Sequence, residues 1–305
     1  MNTRTLIATF AISLMTLLHV DAYAGERSVD FGFEASAGVE TDSNVGIVEI
    51  DDTSGEADRA SVLTAGFNLA VPVGKPLTLR LGYDYSGTSY QEFSEFDLDL
   101  HHALAEITFS NRHIDAALSA DRYEGVLDGE QYLSFEQFSP SLAKLIGSRV
   151  YLRAAYIAST KDYDLLSTRN ADGVAARLDT YLLLNGMDHF LSLGLQQGNE
   201  DAVDDQLDFD TWQASVAWGY RLRLPLMQLN LKAQLRYEQR DYANVTEAIG
   251  MRRDDTRLRT SLVAAIPFND HLQLTGSVER SDNDSNLESA VIEKTVYGIG
   301  LKLTF

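Results

Sequence analysis

Apolar and polar residues alternate with a period of two along most of this chain, in fourteen separate runs. A period of two puts successive side chains on opposite faces of a strand. The runs centre on Phe31–Val39, Val62–Val71, Leu77–Tyr85, Phe96–Phe109, Ile114–Arg122, Tyr132–Leu142 and Val150–Ala158 in the first half. The second half gives Val174–Leu182, Phe190–Gln196, Thr211–Tyr220, Leu229–Tyr237, Arg257–Ile266, Leu272–Arg280 and Val291–Phe305. The eleventh is the cleanest: Leu229, Leu231, Ala233, Leu235 and Tyr237 alternate with Asn230, Lys232, Gln234, Arg236 and Glu238. The sixth contains Pro140, which has no N–H for a ladder and predicts a bulge.

The connections sort into two alternating classes. Short ones fall at Pro72–Pro76, Ser110–His113, Leu145–Ser148, Asn185–Asp188, Arg223–Met227 and Pro267–His271. Longer ones fall at Thr41–Asp58, Gly87–Glu95, Glu124–Gln131, Ser159–Asp172, Gln197–Asp208, Asp241–Asp255 and Ser281–Ser289. Both ends of the chain then lie on the short-turn side, the usual arrangement of an outer-membrane barrel with periplasmic turns and external loops. The predicted fold is all-β: a transmembrane antiparallel up-and-down β-barrel of about fourteen strands. Aromatic girdles are expected where rings meet the headgroups. Phe109, Phe190, Tyr220 and Phe268 would form one, with Tyr85, Tyr156, Trp212 and Tyr237 forming the other.

The two termini bear on the compartment. Arg4, the apolar run Leu6–Val20 and the small-x-small triplet Ala22-Tyr23-Ala24 predict a signal peptide over residues 1–24, cut before Gly25, leaving 25–305 as the barrel. Cysteine is absent, so no disulfide framework supports the exported chain. No later stretch is apolar and long enough for a spanning helix. At the other end, Tyr297, Ile299, Leu301, Leu303 and Phe305 share one face, while Gly298, Gly300, Lys302 and Thr304 share the other. Gly300, Leu303 and Phe305 resemble the C-terminal signal read by the barrel assembly machinery, an expected partner beside the lipid and lipopolysaccharide of a bacterial outer membrane.

The formal charge of −20 gathers in the long connections, with Asp51, Asp52, Glu56 and Asp58 in the first and Glu200, Asp201, Asp204, Asp205 and Asp208 in the fifth. Asp282 and Asp284 lie in the last. No loop has the spaced ligands of a calcium loop, so these carboxylates read as a solvated acidic rim, and they disfavour nucleic acid as a partner. By parity the inward positions include Arg80, Arg153, Arg177, Arg236, Arg257 and Arg259, with Glu34, Asp84, Glu106, Asp179 and Glu238. Charges of both signs suit a wet lumen. They either form an arginine-lined constriction or brace the wall as ion pairs; register across strands decides which. Catalytic motifs do not emerge: neither His-x-Glu nor Glu-x-x-His nor Gly-x-Ser-x-Gly occurs, and no cofactor or metal site is indicated. His101 and His102 are adjacent and point to opposite faces, so only one can reach the interior.

Three stretches carry a family resemblance: Glu40-Thr-Asp42-Ser43-Asn44-Val45, Asp282-Asn283-Asp284-Ser285-Asn286, and the basic start of the twelfth strand, Arg252-Arg253-Asp254-Asp255. With the strand count and terminal Phe305, the chain resembles the barrel domain of the surface lipoprotein assembly modifier family. That resemblance implies a barrel that moves or displays lipoproteins at the cell surface. Members commonly carry tetratricopeptide repeats ahead of the barrel, and none is expected in the span between Ala24 and Phe31. A stand-alone relative, a channel with another cargo, and one half of a split system all stay open. Beside them stand a passive porin-like channel for small solutes and a barrel whose acidic loops bind a surface partner.

Overall fold

The computed structural model describes residues 29–305; the signal peptide expected over residues 1–24 lies outside them. Fourteen antiparallel strands close into one barrel, each paired with its sequence neighbours and the first with the last. The first wall strand, β1 (Asp30–Asp42), is followed by a two-stranded ribbon, β2 (Gly46–Ile47) and β3 (Asp52–Thr53), which is not part of the wall. The wall continues through β4 (Asp58–Gly74), β5 (Leu77–Tyr90), β6 (Leu98–Ser110), β7 (Asp115–Leu127), β8 (Glu130–Ile146), β9 (Val150–Tyr163) and β10 (Ala171–Leu183). It is completed by β11 (His189–Ala202), β12 (Phe209–Arg223), β13 (Gln228–Thr246), β14 (Met251–Pro267), β15 (Leu272–Ser285) and β16 (Ile292–Thr304).

The alternation works as expected, with apolar side chains outside. Tyr297, Ile299, Leu301 and Leu303 are all exposed on β16, as are Phe31 and Val39 on β1. Such a surface is stable against hydrocarbon and not against water. Closure is made by nine register pairs from Glu34↔Thr304 to Asp42↔Val296. Beyond them Phe33 and Phe305 exchange backbone hydrogen bonds of 2.9 and 2.8 Å. Gly38 faces Gly300 across this seam. A Cβ on Gly38 would lie 2.7 Å from the Ile299 carbonyl oxygen and 3.1 Å from the Gly300 Cα, so the close approach needs both glycines.

Several boundaries differ from the pattern-based reading, mostly on the long-loop side. Crossing a bilayer takes about 9–11 residues, but wall strands here run from 13 to 19. They continue beyond the membrane and shorten the loops. The third long connection contracts to Asp128-Gly129, with φ of 52° and 76°. Asp-Gly in this left-handed conformation is the two-residue hairpin turn that matches strand twist. The sixth contracts to the four residues 247–250. Phe96 belongs to a short 3-10 turn (Ser94–Phe96) and Ile114 to a turn, each just outside its strand. Pro140 makes no bulge. The β8–β9 ladder passes from Phe138↔Ala158 to Ser141↔Ala155 in unchanged register, so the proline interrupts pairing without inserting a residue. Phe190 points inward across Gly219 and leaves the girdle; its neighbour His189 is the outward ring, edge-on to Trp218 and Tyr220.

The seam is a testable weak point. Gly38→Val is expected to force β1 from β16 at a cost of about 1–3 kcal/mol, the range for overpacking. Gly276→Ala on β15, where the nearest atom to a new Cβ is 4.0 Å away, should be neutral. Heat-modifiable gel migration compares the two; equal unfolding temperatures would remove the seam argument.

Candidate functional site: a plugged, arginine-lined lumen

Every charged residue assigned inward by parity faces the lumen, and its partners divide the set. On the short-turn side the ion pairs brace neighbouring strands. Arg80 donates to Glu106 at 3.1 Å, Lys302 pairs with Glu34 at 2.6 Å, and Arg153 and Arg177 share buried Asp179 at 3.8 and 3.0 Å. Arg259 lies 3.7 Å from Glu279. Farther out, Glu238 pairs with Arg240 at 2.6 Å. Arg236 and Arg259 are register partners on β13 and β14, as are Glu238 and Arg257.

The long-loop mouth is occupied by the first connection, which the sequence reading placed in a solvated acidic rim. The ribbon β2–β3 and a 3-10 turn, Val48–Ile50, form a small hairpin folded into the barrel. Its apolar residues are almost wholly buried: Val45 at 0% exposure, Ile47 and Val48 at 2%, Ile50 at 3%. Val45, Ile47 and Ile50 pack in one cluster with Phe96, Leu127, Tyr132, Leu133 and Tyr163, on the β7–β9 side of the mouth. Burying an aliphatic side chain contributes about 1.5–3 kcal/mol, so this contact alone favours the inward position.

The other side of the hairpin is acidic and meets a cationic wall on β13 and β14. Arg257 Nη1 donates to both Glu49 carboxylate oxygens at 3.0 Å, and Arg240 Nη2 to one of them at 3.3 Å. Arg253 holds Asp51 with two donors at 2.7 and 2.8 Å and also binds Asp255. Arg169 adds a bond to the Glu49 carbonyl at 3.1 Å. Burial alone would raise the Glu49 carboxyl, but the Arg257 and Arg240 charges outweigh it and hold it well below its ordinary range. At Asp51 burial is likewise outweighed, here by hydrogen bonds from Arg253, and the carboxyl is lowered. Asp58, another residue assigned to the rim, is buried and accepts N–H groups of Arg59, Glu92 and Phe93. Glu200 of the fifth connection is bound to Lys161 at 2.5 Å.

Under the hairpin lies a cavity of about 300 Å³. Its wall carries six cationic side chains (Lys161, Arg177, Arg236, Arg240, Arg257 and Arg259) against three carboxylates (Glu49, Glu200 and Glu238). Gln196, Gln213 and Thr211 add neutral polar groups. The Arg257 Nε and Thr211 hydroxyl are buried there without a hydrogen-bond partner. Of these lining charges, Arg177, Arg236, Arg257, Arg259 and Glu238 follow from strand parity. Arg240, Lys161 and Glu200 also obey parity, but they lie beyond the predicted strand centres, Lys161 and Glu200 within the expected loops Ser159–Asp172 and Gln197–Asp208. Glu49 and Arg253 escaped because a residue in a presumed loop has no assigned face.

The histidine pair separates as its positions require. His101 is outward and bonds Tyr83 at 2.7 Å. His102 is inward and buried, with Asp84 at 3.3 Å on one ring nitrogen and Asp121 at 3.0 Å on the other. Both nitrogens are engaged by carboxylates, an arrangement that braces β5, β6 and β7.

The closed antiparallel sheet, its apolar exterior and its charged interior define a membrane-spanning β-barrel of the outer-membrane class. No family model and no curated protein matches the sequence. Solved structures with the same fold include an anion-selective porin from Comamonas acidovorans, 11% identical, with a TM-score of 0.52 over 92% of this chain and 100% of that one. OmpT of Vibrio cholerae is 10% identical, with a TM-score of 0.54 over 93% and 99% of the two chains. OmpF of Salmonella typhi is 13% identical, with a TM-score of 0.52 over 92% and 98%.

Two measurements test the latch. Arg253→Ala leaves buried Asp255 without its salt-bridge partner and Asp51 with only the 3.5 Å contact to Arg169, at an expected cost of about 3–5 kcal/mol to loop docking. Amide exchange should then rise across Val45–Ser54 and stay slow in the strands. A lowered Glu49 carboxyl stabilises the docked hairpin above its ordinary value of 4.5, and that contribution is lost as pH falls through the docked value below 4.5. Protection factors in the hairpin, which are corrected for the intrinsic pH dependence of exchange, should therefore be flat from neutrality to 4.5 and fall as pH drops from there through the docked value. Protection factors that stay constant throughout would remove Glu49 from the latch.

Proposed function

We propose that this protein is a porin-like outer-membrane channel that favours small anions and is restricted at its outer mouth by its own first loop. One observation carries the reading: six cations face three carboxylates around the cavity, in a chain whose formal charge is −20. A cationic lining inside an acidic protein is a local arrangement, and low-dielectric walls focus its field on the permeation path. The porin fold of the structural neighbours supports the channel class, and one of those neighbours is itself described as anion-selective.

A second reading, transport or display of lipoproteins at the surface, rests on the resemblance to surface lipoprotein assembly modifiers. What favours it is that the three motif stretches adjoin in one patch at the long-loop mouth, part exposed and part, at Asp42, Val45, Arg253 and Asp255, buried. Ser43 and Asn44 bond Thr295 and Glu293 on β16, and Asn286 bonds Arg252 and Asp254 on β14. The patch thus runs along β14, β15, β16 and β1, where an emerging client would pass.

Reversal potentials in planar bilayers under a salt gradient test the first reading. Wild type should favour anions, and Arg236→Gln with Arg259→Gln should move the potential toward cation preference. A cation-selective wild type, or a double variant that shifts nothing, overturns it. For the second reading, a deletion strain should lose surface exposure of a lipoprotein; unchanged display counts against it.

A further inference from the structure

The Glu49 carboxylate is held in a manner unusual for a loop residue. It enters the lumen from the mouth, lies against the cationic wall, and accepts at both oxygens from the one Arg257 Nη1 while Arg240 approaches from the adjacent strand. Arg240 is itself fixed by Glu238 at 2.6 Å and lies over the Phe209 ring at 4.7 Å. The carboxylate site is thus built by the wall, while its resident carboxylate is delivered by a separate segment. Next to it, the Arg257 Nε and Thr211 hydroxyl are buried, face the same cavity and lack partners. Buried donors without partners are uncommon and mark places where a further ligand group fits. The cavity of about 300 Å³ lies at the lower end of the range for small-molecule sites.

We infer that Glu49 holds the place of a solute carboxylate: the cavity is a binding site for small carboxylate-bearing anions, and such an anion opens the channel by displacing Glu49 from Arg240 and Arg257. The inference rests on the channel reading above and names its solute class and its regulation. The hairpin's two sides make the opening local. Val45, Ile47 and Ile50 keep their contacts on the β7–β9 side and Asp51 keeps its bonds to Arg253, while exchange of one carboxylate for another frees Glu49 alone from Arg240 and Arg257. The path opens along the arginines. A ligand shifts such an equilibrium only through its different affinity for the two states, and here the docked state has its site already filled.

The test uses the full chain in planar bilayers, with sodium succinate as the probe and sodium chloride of equal ionic strength as the control. In wild type, succinate should raise open probability roughly tenfold, equivalent to ~1.4 kcal/mol, and chloride should not. Glu49→Gln should be open at the outset and indifferent to succinate. An equal response to both salts assigns the effect to screening and overturns the inference. So does a Glu49→Gln channel that behaves as wild type. A third variant, with Val45–Ser54 replaced by Gly-Gly, separates the two levels. If it conducts while wild type ignores succinate, the channel reading stands and the displacement fails. If it is silent though folded by heat-modifiable migration, the channel reading fails and this inference with it.

Discussion

In hydrocarbon an unpaired amide or carbonyl finds no water, so a sheet that crosses a bilayer must close on itself. The rest of this molecule depends on that constraint. It joins β1 to β16, brings Phe33 and Phe305 together at the end of the seam, and needs Gly38 and Gly300 opposite each other to let the strands approach. Closure also creates the interior. Once one row of each strand faces lipid, the other row must face a common space, and charged residues can gather there only because that space is wet. The ion pairs of Arg80, Arg153 and Arg177 with their carboxylates are thus a consequence of closure as well as a brace for it.

The wall was legible in the sequence because lipid enforces a strict period. Alternation placed all fourteen strands and the facing of every inward charge named from it, from Glu34 on β1 to Arg259 on β14. It stopped where lipid stops. Above the membrane the strands continue without the apolar row, so the pattern leaves Arg240 on β13 outside its strand centre and puts Lys161 on β9 and Glu200 on β11 in loops, although all three keep the same parity. Asp128-Gly129 carries its own signal, a hairpin dipeptide, at a place where the alternation of connection lengths predicts a long loop.

The plug was the larger loss, and it too left a trace. Val45, Ile47, Val48 and Ile50 are too many aliphatic residues for a connection meant to stay in water, and Glu49 and Asp51 are interleaved with them. Reading that segment by its acidic residues hid an amphipathic hairpin. Its destination was not readable, because the greasy surface it meets comes from β7–β9 and the basic one from β13 and β14. A single sequence shows that the segment must be covered. Only the assembled barrel shows by what.

The positions joined by the Arg253–Asp51 bond are 202 residues apart in the chain. The hairpin emerges directly after β1, whereas its basic contacts other than Arg169 arrive with two of the last four wall strands. A barrel lacking those strands has the greasy side of the mouth and Arg169 in place, but none of Arg240, Arg253 and Arg257 for Glu49 and Asp51 to grip. The full latch is therefore available only to a molecule that has finished its wall; without β13 and β14 the plug is left with its apolar packing and one arginine.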